Sequence, residues 1–181
     1  QTGKMIAIPN AEACGNAWFV KEVKMMENAN EEIKTLGSIN PRTTAIVDKR
    51  YADQLKGFTP SFDSANAITF DSYHPDKLTY STNAKTPQLV VFSEMYYNDK
   101  KGWNAYIDGK NVSHFRCDYI LRGMVIPAGS HKIEFRFEPA TLEKASTIAL
   151  VSNAGMYLLL LVGLGSLFVK RKEAILDNVK K

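Results

Sequence analysis

Residues 131–138 read HKIEFRFE, and their side chains alternate strictly between two characters. On a β-strand, one face would carry His131, Ile133, Phe135 and Phe137, and the other would carry the charged residues between them. This alternation predicts a strand with one face in a hydrophobic core and the other in solvent. The chain around it is therefore expected to form a half-buried sheet.

Upstream of this strand, short strand-like segments follow one another with turn signals and no helical period. Residues 88–97, QLVVFSEMYY, contain four apolar residues in a row, which predicts a central strand that is buried on both sides. Asp108-Gly109 predicts a two-residue hairpin that leads into a strand at 111–117, because a type I′ turn needs two positive φ angles. Seven predicted strands within residues 61–140 favour a jelly-roll-like β-sandwich.

Residues 1–60 predict a different arrangement, in which a helix lies between two strands. Residues 17–26 and 43–48 are strand-like. Between them, Asn28 is placed to cap a helix that ends at Gly37. The apolar face of this helix would be formed by Ala29, Ile33 and Leu36. The prediction is a small β-α-β lobe, which makes the chain α+β as a whole.

Downstream, residues 145–169 contain no charged side chain. A run of this length is sufficient to cross the hydrocarbon core of a bilayer, and it predicts a single C-terminal transmembrane helix. Lys170, Arg171 and Lys172 follow directly. By the positive-inside rule, this basic cluster predicts that the C-terminal end is cytoplasmic.

The same rule predicts an extracytoplasmic location for residues 1–144 and a cytoplasmic tail at residues 170–181. Because no second apolar run could carry the N-terminal part across the membrane, a signal sequence or earlier spans are expected before Gln1.

The excess of positive charge is explained by this topology. Residues 170–181 hold five Lys or Arg and two Asp or Glu, which accounts for +3 of the formal charge of +4. The rest of the chain holds 18 basic and 17 acidic side chains, a net charge of +1. A net charge this small shows no excess of basic residues of the kind that binds nucleic acid, so we expect no nucleic-acid partner.

The sequence carries no recognisable motif for a nucleophile, a phosphate-binding loop or a metal centre. His74, His114 and His131 lack metal-ligand spacing with one another or with Cys14 and Cys117. We therefore predict no catalytic residue, no metal and no cofactor within this chain. The two cysteines are expected to be free or buried thiols rather than a disulfide.

Residues 93–112, SEMYYNDKKGWNAYIDGKNV, combine aromatic, amide and acidic side chains. Alternation places Trp103 on one face with Ala105 and Ile107, which predicts that the Trp103 side chain belongs to the core. The opposite face would carry Asn104, Tyr106 and Asp108, and Tyr97 would lie in the preceding loop.

Two interpretations of these polar residues remain open. An exposed tyrosine flanked by Asn and Asp can stack on a sugar ring and hydrogen-bond its hydroxyls. Ordinary cross-strand packing would use the same residue types. The candidate glycan-binding residues are Tyr97, Asn104, Tyr106 and Asp108.

The ordered phrases of the chain resemble the C-terminal end of YfhO-type bacterial membrane proteins, in the forms found in Bacteroidetes. The phrases are LTYSTNAKTPQLVVFSEMYYNDKKGWNAYIDGK at 78–110 and FRCDYILRGMVIPAGSHKIEFRFEP at 115–139, followed by one membrane helix. GNAWFVKEVK at 15–24 and INPRTTAIVDKRY at 39–51 resemble the preceding part of the same ectodomain.

The resemblance implies a polytopic glycosyltransferase that uses polyprenyl-phosphate sugars to decorate cell-surface polymers. Its catalytic acidic residue would lie in an early extracytoplasmic loop outside this sequence, so no catalytic role is carried over. Residues 1–144 would then be an accessory ectodomain, and the expected location is a bacterial inner, or cytoplasmic, membrane. The alternatives are a single-pass, membrane-anchored carbohydrate-binding protein and a purely structural module. The expected partners are the membrane, a cell-surface glycan and, through the absent part, a polyprenyl-phosphate sugar.

Overall fold

A computed structural model describes residues 8, 10–61, 63, 65–98, 100 and 102–179 of the chain. The backbone divides into two compact units, Gln1–Glu138 and Pro139–Lys181. All the strands described lie in the first unit, and one long helix fills the second.

The first unit is mostly β-structure with short helical segments. In chain order its strands are β1 (Ala17–Phe19), β2 (Glu22–Met26), β3 (Thr44–Asp48), β4 (Ala67–His74), β5 (Lys77–Ala84), β6 (Gln88–Met95), β7 (Trp103–Ile107), β8 (Lys110–Val112), β9 (Phe115–Cys117), β10 (Leu121–Ile126) and β11 (Gly129–Phe137). Helix α1 spans Ala29–Leu36, and a 3₁₀ helix spans Lys49–Leu55.

The strands form two sheets in a sandwich-like arrangement. One sheet has six strands in the order β1-β6-β10-β9-β3-β2, and the other has five in the order β4-β5-β11-β7-β8. Strands β2 and β3 pair in parallel, whereas the other pairs described are antiparallel. The predicted α+β class, dominated by a β-sandwich, is confirmed at this level.

Strand β11 lies in the middle of the five-stranded sheet, with β5 on one side and β7 on the other. As predicted, Ile133 and Phe135 are fully buried. Two residues depart from the alternation. Phe137 is 42% exposed because it lies at the end of the strand, and Glu134 is only 6% exposed although it lies on the outer face. Its carboxylate is covered by the side chains of Lys77, Lys132 and Arg136.

Strand β6 is buried on both faces, as its apolar run predicts. Val90 and Phe92 join the hydrophobic cluster that both sheets share, and Leu89 and Val91 join a second cluster with β3 and β9. In the shared cluster, the Phe92 ring lies 4.9 Å from both the Tyr80 and the Phe135 rings, edge to face. Each such aromatic pair contributes roughly 0.5–1.5 kcal/mol beyond the burial of its surface.

The segment at 17–26, predicted as one strand, forms two. The chain turns after β1 because the backbone N–H groups of Lys21 and Glu22 donate to the Thr43 carbonyl, at 2.7 and 3.0 Å. Strand β1 therefore pairs with β6, whereas β2 pairs with β3. The segment at 111–117 also forms two strands, since β8 belongs to the five-stranded sheet and β9 to the six-stranded sheet.

Helix α1 begins and ends as predicted. The Asn28 side chain accepts hydrogen bonds from the N–H groups of Asn30 and Glu31, and Gly37 is the C-cap residue. Strands β2 and β3 flank the helix in the sequence, and β3 also pairs with β9. These strands thus belong to the six-stranded sheet.

The second unit is helix α2, Ala140–Val179. Its apolar stretch is Ala140–Phe168. Among the described residues, this is the one helix that is long and apolar enough to cross a membrane. The predicted span of 145–169 lies within α2.

Candidate functional site

A cavity of about 210 Å³ lies where β8 ends. Strand β8 pairs with β7 only from Ala105 to Ile107, because the chain leaves the five-stranded sheet after Val112 and enters the other sheet as β9. Among the described residues, Trp103 and Asn104 therefore have no partner in β8. The cavity occupies this open part of the sheet edge.

The walls of the cavity are polar and aromatic. They hold two large aromatic rings, four amide side chains, one hydroxyl and one imidazole. None of the described lining residues carries a formal charge when the imidazole is neutral. The lining residues are Gln54 of the 3₁₀ helix, Tyr96 and Asn98 after β6, Trp103, Asn104 and Ala105 of β7, and Asn111, Val112, Ser113 and His114.

His114 connects this cavity to the hydrophobic core. Its side chain is 8% exposed, and its Nε2 lies 3.0 Å from the Tyr97 carbonyl oxygen. The imidazole is edge-on to the Tyr96 ring at 5.4 Å and to the Phe135 ring at 5.6 Å. Tyr96 in turn contacts Tyr51 at 6.0 Å. These contacts fix the position of the aromatic wall before any ligand arrives.

Trp103 takes a place that the sequence predicts only in part. It packs against the shared core cluster, as expected from its alternation with Ala105 and Ile107. It is nevertheless half-buried rather than fully buried, and it also lines the cavity. Its ring lies 5.5 Å from that of Phe137.

Of the four candidate glycan-binding residues, the structure brings Asn104 and Tyr106 together. Asn104 Nδ2 and the Tyr106 hydroxyl both donate to Glu138 Oε2, at 2.9 and 2.6 Å. The Arg136 guanidinium lies 4.4 Å from the centre of the Tyr106 ring. The shared hydrogen bond raises the pKa of Tyr106, and the hydrogen bonds from Tyr106 and Asn104 lower that of Glu138. Asn104 also lines the cavity, whereas Tyr106 does not.

Asp108 is engaged elsewhere. Its φ of 50° and that of Gly109, 79°, form the predicted hairpin turn. One carboxylate oxygen lies 2.6 Å from His131 Nδ1, and the other accepts from the Lys132 N–H at 2.9 Å. The hydrogen bond with Asp108 is the main cause of the raised pKa of His131, and the hydrogen bond with His131 lowers the pKa of Asp108.

Tyr97 is 44% exposed in the segment after β6. None of the contacts described for this residue joins it to the other three candidates. The predicted set of four is therefore divided among a loop, the outer face of β7 and a hairpin turn. Its role in binding a glycan stays a prediction.

Sequence reasoning missed most of the cavity. Asn111 lies directly opposite Tyr106 in the β7–β8 pairing, so the register of the predicted hairpin could have identified it. The sequence pattern around His114 shows only that it lacks metal-ligand spacing, and it does not predict that this residue lines a cavity. Gln54 comes from a distant 3₁₀ helix, and no local pattern places it beside β7.

A second group of polar side chains lies beneath α1, and we call it the acidic cluster. It comprises Glu32, Asp48 and Asp118, whose exposed fractions are 0%, 3% and 4%. Arg116 Nη2 contacts Glu32 Oε2 and lies 3.6 Å from Asp48 Oδ2, and Arg50 Nη2 lies 2.7 Å from the same Asp48 oxygen.

Burial is the main cause of two raised pKa values in the acidic cluster. It raises the pKa of Glu32, and it raises that of Asp118 to about 6. The Arg50 hydrogen bond instead lowers the pKa of Asp48. Among the described residues, no group of His, Cys, Asp and Glu side chains could hold a metal ion.

Both cysteines are free, as expected. Cys117 is buried beside the acidic cluster, and burial raises the pKa of its thiol well above the ordinary value. A thiol in this state is a poor nucleophile, because the thiolate is the reactive form. Cys14 is half-buried.

The comparisons with known proteins place no constraint on the assignment. No protein-family model, no curated protein and no solved structure matches the chain. The resemblance to YfhO-type proteins therefore stays a hypothesis that rests on the sequence phrases given above.

Proposed function

We propose that residues 1–138 are a glycan-binding, noncatalytic domain outside the cytoplasmic membrane. In this proposal they serve a polytopic protein of the lipid-linked-sugar glycosyltransferase class that acts on cell-surface polymers. The observation that supports glycan binding is the cavity beside β7, with its aromatic and amide walls. The glycosyltransferase assignment rests on the sequence resemblance alone.

The chemistry of the cavity suits a sugar. A sugar ring offers hydroxyls that donate and accept hydrogen bonds, and C–H groups that pack on aromatic faces. The side-chain amides of Gln54, Asn98, Asn104 and Asn111 can each donate and accept. Trp103 and Tyr96 supply aromatic surface in the same space.

A single-pass, membrane-anchored carbohydrate-binding protein would use the same cavity. The helix at Ala140–Phe168, the one candidate span among the described residues, is compatible with such an anchor. The two proposals differ in what precedes Gln1, since one requires several spans and the other a signal peptide. Sequencing upstream of Gln1 distinguishes them. In neither case do we expect sugar transfer by this chain alone.

The proposed topology places residues 1–144 outside and residues 170–181 in the cytoplasm. Cysteines introduced one at a time at Ser130 and Asn178 test it in spheroplasts with a membrane-impermeant maleimide, in a Cys14→Ser background that keeps the buried Cys117. We expect Ser130→Cys to react at once and Asn178→Cys to react only after permeabilisation. The reverse pattern contradicts this topology.

Glycan binding is tested by calorimetric titration of the full chain in detergent micelles with oligosaccharides from bacterial surface polymers. Asn111→Ala removes a cavity amide, and Asn83→Ala removes an exposed amide of β5 in the same sheet. We expect Asn111→Ala to weaken binding about tenfold, since a hydrogen bond to a ligand contributes about that factor. Asn83→Ala should bind like the natural chain. Equal losses in both variants, or no binding by the natural chain, contradict the proposal.

A further inference from the structure

Arg122 is a buried cation next to the cavity wall. Its side chain is 2% exposed, and its Nε donates to the Met95 carbonyl at 2.8 Å. Its Cζ lies 4.4 Å from the centre of the Trp103 ring and 5.0 Å from that of Phe135. The guanidinium is thus within cation–π distance of two rings, one of which lines the cavity.

This charge is not neutralised by a neighbouring anion. Arg122 Nη1 is buried without a hydrogen-bond partner. Among the ion pairs of the described residues, none involves Arg122. Glu94 is half-buried and attracts Arg122 electrostatically, although the two form no ion pair. An arginine stays protonated under all ordinary conditions, so the charge persists.

One described anion is hydrogen-bonded to a residue of the cavity wall. Glu138 accepts a hydrogen bond from Asn104, but it is exposed to solvent and is also attracted by Arg136. Water and salt screen an exposed charge strongly, whereas a buried charge acts through a medium of low dielectric constant. Arg122 therefore adds a positive charge close to a cavity whose described lining residues are neutral.

We infer that the cavity selects an acidic glycan, in which the bound sugar carries a carboxylate as a uronic acid does. This inference rests on the proposed function and names the class of ligand for the same site. In this inference the neutral amides of the cavity bind the sugar hydroxyls. The buried Arg122 guanidinium beside Trp103 attracts the sugar carboxylate. The arrangement favours an anion without requiring a direct salt bridge.

The test uses two probes that differ only in charge. One is a glucuronic acid tetrasaccharide, and the other is the same tetrasaccharide after each carboxyl has been reduced to a hydroxymethyl group. The full chain in detergent micelles is titrated with both. We expect the acidic probe to bind on the order of tenfold more tightly, as one partly screened charge interaction allows. Higher salt should reduce this preference without abolishing it.

Variants then assign the preference to Arg122. Arg122→Lys keeps the charge and should keep the preference. Arg122→Met should bind the acidic and neutral probes with about equal affinity. Its affinity for the neutral probe should match that of the natural chain. Because Arg122 is buried, thermal unfolding must show that both variants are folded.

Gln54→Glu provides an independent test on the exposed 3₁₀ helix, since it introduces an anion into the cavity wall. It should weaken binding of the acidic probe about tenfold more than binding of the neutral probe, and the loss for the neutral probe measures the part due to the missing amide.

The outcomes separate this inference from the proposed function. Equal affinity for both probes overturns the acidic preference and leaves glycan binding standing. A preference that survives in folded Arg122→Met overturns the role of Arg122. Binding of neither probe, at any accessible concentration, overturns the inference, and failure of every surface oligosaccharide overturns the proposed function as well.

Discussion

The outer face of the five-stranded sheet and the acidic cluster beneath α1 hold buried carboxylates in opposite states. Glu134 and Asp118 are equally hidden, at 6% and 4% exposure. The hydrogen bond from Arg136, with those from Lys77 and Lys132, lowers the pKa of Glu134 to about 2. Burial raises the pKa of Asp118 to about 6. Exposure alone therefore does not decide the charge of a carboxylate.

The difference comes from the number of cations within reach. On the outer face, long Lys and Arg side chains bend over Glu134 while their charged ends stay partly in water. Asp118 receives one backbone hydrogen bond, from the Ile46 N–H at 2.7 Å, and lies near Glu32. Its other carboxylate oxygen is buried without a partner. The acidic cluster is therefore the less stable of the two arrangements at neutral pH.

The largest expected effect is that of removing the cation of the acidic cluster. At pH 7.5, we expect Arg116→Met to lower the free energy of unfolding by about 3–5 kcal/mol, because Glu32 is left as an unpaired buried charge. The loss should become smaller as the pH is lowered, because burial raises the pKa of Glu32 and favours its neutral form. Urea unfolding of the full chain in micelles, followed by tryptophan fluorescence, measures the loss at each pH.

Arg50→Met is the matched control for this prediction. The Arg50 side chain is 57% exposed and contacts Asp48 at the surface of the same cluster. Its removal should cost about 1–2 kcal/mol, less than the loss of Arg116, because Arg50 is mostly exposed and the buried Asp48 keeps Arg116 at 3.6 Å. Similar losses for the two arginines would show that Glu32 does not depend on Arg116.

Asp118→Asn should act in the opposite direction and stabilise the protein. The pKa of Asp118 is raised from 3.8 to about 6, so the folded state keeps the proton to a higher pH than the unfolded state. The stability that Asp118 contributes is full below pH 3.8 and is lost as the pH rises through 6. Above that range, removing the charge should raise the free energy of unfolding by up to about 3 kcal/mol.

Unfolding curves at pH 4 and pH 7.5 check this second prediction. Asp53→Asn, at an exposed position of the 3₁₀ helix, should change the free energy by less than about 0.5 kcal/mol at either pH. Destabilisation by Asp118→Asn at both pH values would mean that the Ile46 N–H requires a carboxylate.

Glu134→Gln should be destabilising, with the reverse dependence on pH. The pKa of Glu134 is lowered from 4.5 to about 2, so its contribution is present above pH 4.5 and is lost as the pH falls towards 2. The covering cations are 36–59% exposed, and solvent screening reduces the effect to about 1–2 kcal/mol at pH 7. An unfolding series from pH 7 to pH 2 should show this cost disappearing, and a cost that is constant with pH would contradict it.

Much of the fold follows from local patterns. The alternation of residues 131–138, the apolar run of β6 and the Asp108-Gly109 turn each depend on neighbours in the sequence, and each was predicted correctly. The cap at Asn28 is local in the same sense. Such features are readable because backbone geometry and side-chain period fix them within a few residues.

Features that depend on distant partners were not predictable. The expected apolar face of α1 included Ile33, which is 47% exposed, whereas Glu32 is fully buried. Glu32 turns inward because it meets Arg116 of β9, which is 84 residues away in the sequence. The cavity has the same origin, since Gln54 and His114 meet only after the two sheets have formed. A site assembled from remote segments leaves no spacing in the sequence.

The smallest expected effect concerns Tyr106, which the sequence placed among the glycan-binding residues. Its hydroxyl already donates to Glu138, and its ring is within 4.4 Å of the Arg136 guanidinium. We expect Tyr106→Phe to cost less than about 1 kcal/mol of stability, because one partly exposed hydrogen bond is lost. Affinity for any oligosaccharide that binds the chain should change by less than about twofold, since no hydrogen bond to a ligand is removed.

Parallel titrations of Tyr106→Phe, Tyr106→Ala and Asn111→Ala measure this change in affinity. If both Tyr106 variants weaken binding as strongly as Asn111→Ala, the glycan extends over the outer face of the sheet, and the original four-residue site is the better description. If only Asn111→Ala weakens it, binding belongs to the cavity, and the polar face of β7 serves to hold β11 in place through Glu138.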